Sequence, residues 1–300
     1  MAYNIEMIAD FKCRVGEGPV WEPKRQMLDW TDIQTGRMFE YDPATGNSRT
    51  IYTGEYIGGY SNNKQGGKLM ASWSGIGLWR EGEEITYIHR GMMRGQNLQF
   101  NDVSASPAGQ LYAGTYYDGN PPGTLYRFDP DGSIHIVEDN VAISNGIGYS
   151  PDLSTVYFID SPTRKVSAYD LDAKTGNWSN KRTLVSLGDE EGIPDGMTVD
   201  GEGFLWVAIW GGSCVIRFDP DGKEERRIHF PATQTSSAMF GGKDLNELYV
   251  TTGWNGTSDG PSGFEPTGYD HSAHRGGELY RVKLDIQGKL EFETDFAWPE

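Results

Sequence analysis

The chain reads as an all-β protein: one six-bladed β-propeller of four-stranded antiparallel blades over residues 1–300, its ring closed by the N-terminal strand. Three observations predict it. Glycine supplies 40 of 300 residues and aromatics 12%, while the i, i+3, i+4 apolar pattern of helices is hard to find. Short aromatic and β-branched runs end at Gly, Pro, Asp or Asn, the habit of strands bounded by turns. These runs recur in one fixed order six times, at roughly the 40–50-residue period of propeller blades.

Each unit opens with a segment ending in a turn: GPVWEPKRQ, GYSNNKQGGK, DVSASPAGQ, GIGYSPDLS, GMTVDGEGF and SAMFGGKDLN. A second strand follows, as MLDWTDI (27–33), KLMASWS (68–74), QLYAGTYY (110–117), TVYFIDS (155–161), FLWVAIW (204–210) and ELYVTTG (247–253). Then comes a hairpin, as in MFEYDPATG (38–46), LYRFDPDGS (125–133), VIRFDPDGK (215–223) or LYRVKLDIQGK (279–289). Asp-Pro-Asp-Gly suits such a turn, because Pro presets φ and Gly accepts the left-handed position. These pairs lack the third oxygen position and distal Glu of a calcium-binding EF-hand loop. Six hairpins are therefore expected. IEMIADF (5–11) leads into GEGPVW as IHIVED leads into SNGIGY, so it reads as the fourth strand of the last blade. KLEFETDF (289–296) competes for that place.

Composition narrows the function. Lys and Arg total 26 against 43 Asp and Glu, a net charge of −17. Such a surface repels nucleic acid and anionic membranes, so neither is expected as a partner. Cys13 and Cys214 lie far apart without metal-binding spacing. The start MAYNIEMIADF lacks the basic and apolar regions of a signal peptide, and no segment is long and apolar enough for a membrane helix. A cytoplasmic protein is expected.

The repeat also gathers chemistry. Aligned on Leu28, Leu69, Leu111, Val156, Leu205 and Leu248, the residues 10 or 11 positions earlier are Glu17, Gly59, Asn101, Asn145, Asp195 and Ser237. First strands line the channel of a propeller. Glu17, Asn101, Asn145 and Asp195 should therefore converge at one mouth. Two carboxylates and two carboxamides make a hard-oxygen site for one divalent cation: Ca²⁺ first, then Mg²⁺ or Mn²⁺, with Zn²⁺ and Fe²⁺ as alternatives. Glycines follow Glu17, Asn145 and Asp195, letting backbone crowd the site. Taken singly, Asn-Gly and Asp-Gly are ordinary turn dipeptides; the shared slot is what points to a metal.

The pieces GEGPVW (16–21), FNDVSASPAGQLYAGT (100–115), SNGIGYSPD (144–152) and PDGMTVDGEGFLWVAIWGG (194–212) resemble the senescence marker protein-30, gluconolactonase and luciferin-regenerating enzyme family. The resemblance runs nearly end to end. It implies a six-bladed propeller with Glu17, Asn145 and Asp195 as metal ligands and Asn101 as a substrate-contacting residue, followed by Asp102. It also implies hydrolysis of a lactone, most naturally a sugar lactone, by metal-activated water, with Asp195 also receiving the proton. Two departures stand out. Gln99 occupies the place of the family's arginine, offering a neutral amide instead of a charged fork. Where members carry an acidic pair after the AGT strand, this chain offers Asp118. Gln99, Asn101 and Asp118 are thus the expected substrate-binding residues.

No GxSxG nucleophile motif is present, and His89, His135 and His229 fall on rim strands. A related propeller acting on a non-sugar ester or organophosphate, and a non-catalytic metal-binding scaffold, are the alternatives. The segment 254–277 breaks the repeat and reads as either a lid or substrate wall or a plain loop. Tyr60, Trp73, Tyr117, Trp210 and Trp254 are candidate pocket aromatics, against the commoner role of packing between blades.

Overall fold

A computed structural model describes residues 3–91, 99–116, 122–254 and 266–299. Among the described residues, twenty-four strands form six four-stranded antiparallel sheets, arranged as a six-bladed β-propeller. The innermost strands are Gly16–Glu22, Ile57–Asn62, Gln99–Ala105, Ser144–Tyr149, Ile193–Val199 and Thr235–Gly241 in blades 1 to 6. Leu28, Leu69, Leu111, Val156, Leu205 and Leu248, on which the repeat aligns, are all fully buried at 0% exposure. They pack the faces between neighbouring blades, where apolar burial drives the ring together.

Blade 6 is built from both ends of the chain. Glu278–Lys283 is its third strand, and Ile5–Asp10 pairs antiparallel with it as the fourth. The sixth expected hairpin is therefore absent: among the described residues after Lys283 there is no return strand. The segment containing KLEFETDF instead crosses the far end of the channel. Gly288 bridges Asp200, Thr198 donates to Glu291 at 2.8 Å, and the Thr294 and Asp295 amides donate to the Asn62 and Gly109 carbonyls. Glu291 and Phe292 line the narrow cavity inside the channel, closing it from below. The N-terminal strand wins because its ladder satisfies the edge of Glu278–Lys283, while the later segment finds its partners on other blades.

No helix among the described residues is long and apolar enough to cross a membrane. Cys13 and Cys214 are free and buried, and burial pushes both thiols up, Cys214 to about 12.

Candidate metal centre

Every innermost strand is irregular near its start. In blades 3, 4 and 5 the ladder passes from Phe100 to Val103, Ser144 to Ile147 and Pro194 to Met197, skipping two residues each time. The skipped residues are Asn101–Asp102, Asn145–Gly146 and Asp195–Gly196. In blade 1 the skip falls just after Glu17, over Gly18 and Pro19. Bulges re-aim side chains, so four bulged strands turn their polar groups toward one channel mouth. Glu17, Asn101, Asn145 and Asp195 each stand four residues before the partner of the aligned Leu or Val: Trp21, Ala105, Tyr149 and Val199. Glu17 lies one place outside its bulge, where the longest of the four side chains stands.

Close approach between blades explains two of the glycines. A Cβ on Gly146 would lie 2.7 Å from the Met197 amide nitrogen, and one on Gly196 would lie 2.2 Å from Ser237 Oγ. Gly18 has φ +52°, a left-handed position that lets its N–H turn back to Glu17.

Asn101 Nδ2 donates to Asn145 Oδ1 at 2.9 Å and to the Ser144 carbonyl at 2.8 Å. Asn145 Nδ2 donates to Ser161 Oγ at 2.7 Å, which fixes the amide and leaves Oδ1 as its acceptor on the other side. Glu17 Oε2 accepts the Gly18 N–H at 3.0 Å. Asp102 Oδ1 accepts from Val103 N at 2.8 Å. Asp195 is 6% exposed, and no donor reaches its carboxylate among the described residues. Asp32 and Asp160 brace the approach to two of these strands, accepting from the amides of Val15 and of Ala142 and Ile143.

The electrostatics are unfavourable as the chain stands. Burial raises Glu17 well above the ordinary carboxyl range, and the charges of Asp195 and Asp102 add to it. Burial, then Asp102, raises Asp195 in the same direction. Burial pushes Asp102 up to about 6, against the Val103 N–H that favours its charged form. Among the described residues no lysine or arginine offsets these three acids. Buried like charges without a partner are costly, and a cation is what removes the cost. Among the described residues no three His, Cys, Asp or Glu side chains gather closely enough to hold a metal by themselves. The oxygens that could hold a cation are those of Glu17 and Asp195 with the Asn145 carboxamide, beside the Asp102 carboxylate, an all-oxygen set of the kind a hard divalent ion takes.

The family profile described as SMP-30/Gluconolactonase/LRE-like region matches residues 15–253. The chain belongs to that family. It is 37% identical over 294 residues to pentonolactonase XacC of Haloferax volcanii, covering 97% of this chain and 98% of that protein. It is 38% identical over 266 residues to regucalcin of Xenopus laevis, covering 85% and 89%. Among solved structures, luciferin-regenerating enzyme superposes with a TM-score of 0.88 at 30% identity, over 98% of this chain and 100% of that one.

In this SMP-30-family chain, Gln99 opens the blade 3 inner strand opposite Tyr116, half-buried, with no side-chain hydrogen bond among the described residues. Asp118 and Tyr117 lie outside the described residues. Tyr60 lines the channel below the site, Trp73 is exposed, and Trp210 packs under Gly253. Three contributors escaped the sequence reading. Ser161 holds Asn145. Tyr56 donates to the Phe100 carbonyl at 2.9 Å, and burial and the nearby Tyr116 and Glu17 raise its phenol. Ser236 Oγ ties blade 6 to the Gly16 carbonyl, beside Glu17. Ser161 had one available signal: it directly follows the second strand, Thr155–Asp160, of the blade whose first strand carries Asn145.

Proposed function

We propose that this chain is a metal-dependent lactonase that opens a small sugar lactone at the channel mouth, with Glu17, Asn145 and Asp195 as protein ligands to one divalent cation. The observation that carries the reading is the set of buried, mutually repelling carboxylates with no countercharge among the described residues, ringed by carboxamides. Membership of a family whose members include a pentonolactonase 37% identical over nearly the whole chain supports the substrate class. The oxygen-only donors favour Ca²⁺ first, with Mg²⁺, Mn²⁺, Zn²⁺ and Fe²⁺ as competitors.

A bound divalent cation supplies polarisation of the lactone carbonyl and acidifies water beside it. The chain's residues do the rest. Asp195, buried at the mouth and lacking a hydrogen-bond donor of its own among the described residues, is the base that accepts the proton as water adds to the carbonyl carbon. Glu17, pinned by the Gly18 N–H, balances charge and holds position. Asn101, locked to Asn145, orients the ring oxygens, and the amide of Gln99 offers one donor and one acceptor to ring hydroxyls. Asp118 is a further substrate contact on this reading. The ring C–O bond breaks and the alkoxide takes up a proton, giving a hydroxy acid.

Proton release from a panel of five- and six-carbon aldonolactones tests this. Metal-stripped protein is compared with protein reloaded with each cation, and with Asp195→Ala. Turnover that requires both metal and Asp195 supports the reading. Equal turnover after stripping, or in Asp195→Ala, removes it.

A further inference from the structure

In a chain carrying −17 net charge, arginines are almost all engaged. Those described pair with acids, as Arg217 does with Asp200 and Arg281 with Glu6, or lie on a ring or a carbonyl, as Arg80 and Arg90 do. Arg14 and Arg275 are the exceptions: neither side chain has an ion pair, hydrogen bond or ring contact among the described residues. Both stand at the same place. Val15 bridges Gly253 antiparallel, and the Trp254 amide donates to the Cys13 carbonyl, so the backbone of Arg14 lies between two residues paired to the Gly253–Trp254 segment. Arg275 lines a surface pocket with Trp254, His271 and His274. Its carbonyl accepts from Gln234 N, which fixes it to the start of the blade 6 inner strand.

This patch is at the mouth end of the ring. Arg14 lies three residues before Glu17, and the Thr252 carbonyl meets Gly16 at the position a Cβ would take. Among the described residues, the acids nearby are already occupied: Glu278 bonds His274 at 2.7 Å, and Asp270 accepts from Ser272. Trp254 is 50% exposed, leaving an apolar face open to solvent on this patch.

We propose that Arg14 and Arg275, flanking Trp254, form a second, anion-binding site that takes the carboxylate of the ring-opened hydroxy acid. The inference rests on the lactonase reading for its choice of anion. Guanidinium grips carboxylate as a two-pronged fork, and an exposed indole packs against the C–H face of a polyol chain. Hydrolysis turns a neutral lactone into an anion beside Glu17, Asp102 and Asp195, which repel it. Among the described residues the unpaired arginines are those of this patch, so product passes from the acidic channel to the basic rim.

Calorimetric titration of sodium pentonate into chelator-stripped full-length protein tests the site independently of turnover. Pentonate is expected to bind, more weakly as salt rises. Arg14→Gln and Arg275→Gln are each expected to weaken it about tenfold, and the double variant to abolish it. Neither side chain makes a contact, among the described residues, whose loss would unfold the protein, and circular dichroism of the variants checks this. In metal-loaded enzyme the double variant should keep kcat/KM for the lactone while product inhibition by pentonate weakens about tenfold. No pentonate binding, undiminished binding in the double variant, or binding of inorganic phosphate without pentonate overturns the site. A protein that binds pentonate at these arginines yet hydrolyses no lactone overturns the channel reading instead.

Discussion

Replacing Asp195 with asparagine should stabilise the metal-stripped protein while removing its activity. Asp195 is buried, receives no hydrogen bond among the described residues, and faces the charge of Asp102. Asparagine keeps the shape and removes the charge. On the scale set by replacing buried ionic groups with neutral ones, the exchange should return about 1–4 kcal/mol. A 300-residue chain unfolds with an entropy of about 0.6 kcal/mol/K, so the melting temperature should rise by about 2–6 °C. The pH dependence has a definite sign. A carboxyl raised in the folded state binds its proton more tightly there. Its penalty is absent below the ordinary value near 3.8, grows as pH rises, and is complete above the folded-state value. The gain from Asp195→Asn should therefore be largest near pH 8 and shrink toward pH 4. Saturating metal should reverse the order, because only the wild type binds tightly. Differential scanning calorimetry in chelator, at several pH values, reads all of this. An Asp195→Asn variant that melts lower than wild type at pH 8 without metal would refute the account of an uncompensated charge.

Other consequences are equally open to measurement. Ser161→Ala frees Asn145 Nδ2 and should weaken metal binding about tenfold, as loss of a ligand's supporting contact does, in a direct titration. Metal binding should release protons, because Glu17 and Asp195 are raised and must be ionised to ligate; titration in buffers of different ionisation enthalpy reads the release, and none at any pH between about 4 and 8 would count against these ligands. Gly196→Ala would place a Cβ 2.2 Å from Ser237 Oγ, and overpacking of about 1–3 kcal/mol should appear in urea unfolding. Phe296→Ala empties a site 1% exposed in the core beneath blades 2 and 3, at a cost of about 3–5 kcal/mol by the same assay.

The blade count was legible because turn chemistry and burial repeat with the strands. Leu28 through Leu248 mark second strands whether or not the channel works. The lateral convergence of Glu17, Asn101, Asn145 and Asp195 was legible for the same reason. Depth in the channel was less so. Counting back 10 or 11 residues spans a bulge whose length varies: two residues are skipped in blades 1, 3, 4 and 5 but one in blades 2 and 6. Bulges have no strong sequence mark beyond glycine, so Gly59 and Ser237 were aligned with the four polar residues although their ladders differ. The fate of 289–296 was illegible because an alternating strand pattern does not say which edge it will meet. Ser161 and Tyr56 were missed because each acts through one hydrogen bond to a neighbour distant in sequence, and periodicity carries no trace of such a bond.

The sealing of blade 6 by Ile5–Asp10 bears on synthesis as well as on shape. Asp10 pairs with Glu278, about 270 residues later in the chain. At a translation rate of about 5–20 residues per second, the first strand waits roughly 15–50 s for its partner. Throughout that interval the segment lacks the only strand it pairs with in the ring, among the described residues, and an unpaired strand can recruit foreign ones. Glu6 and Asp10 lie on it, with Lys12 just beyond, and charges of this kind discourage edge-to-edge association. In the finished ring Arg281 takes Glu6 at 2.6 Å. A charge that guards the strand while it is alone thus becomes, at the last step, part of the clasp.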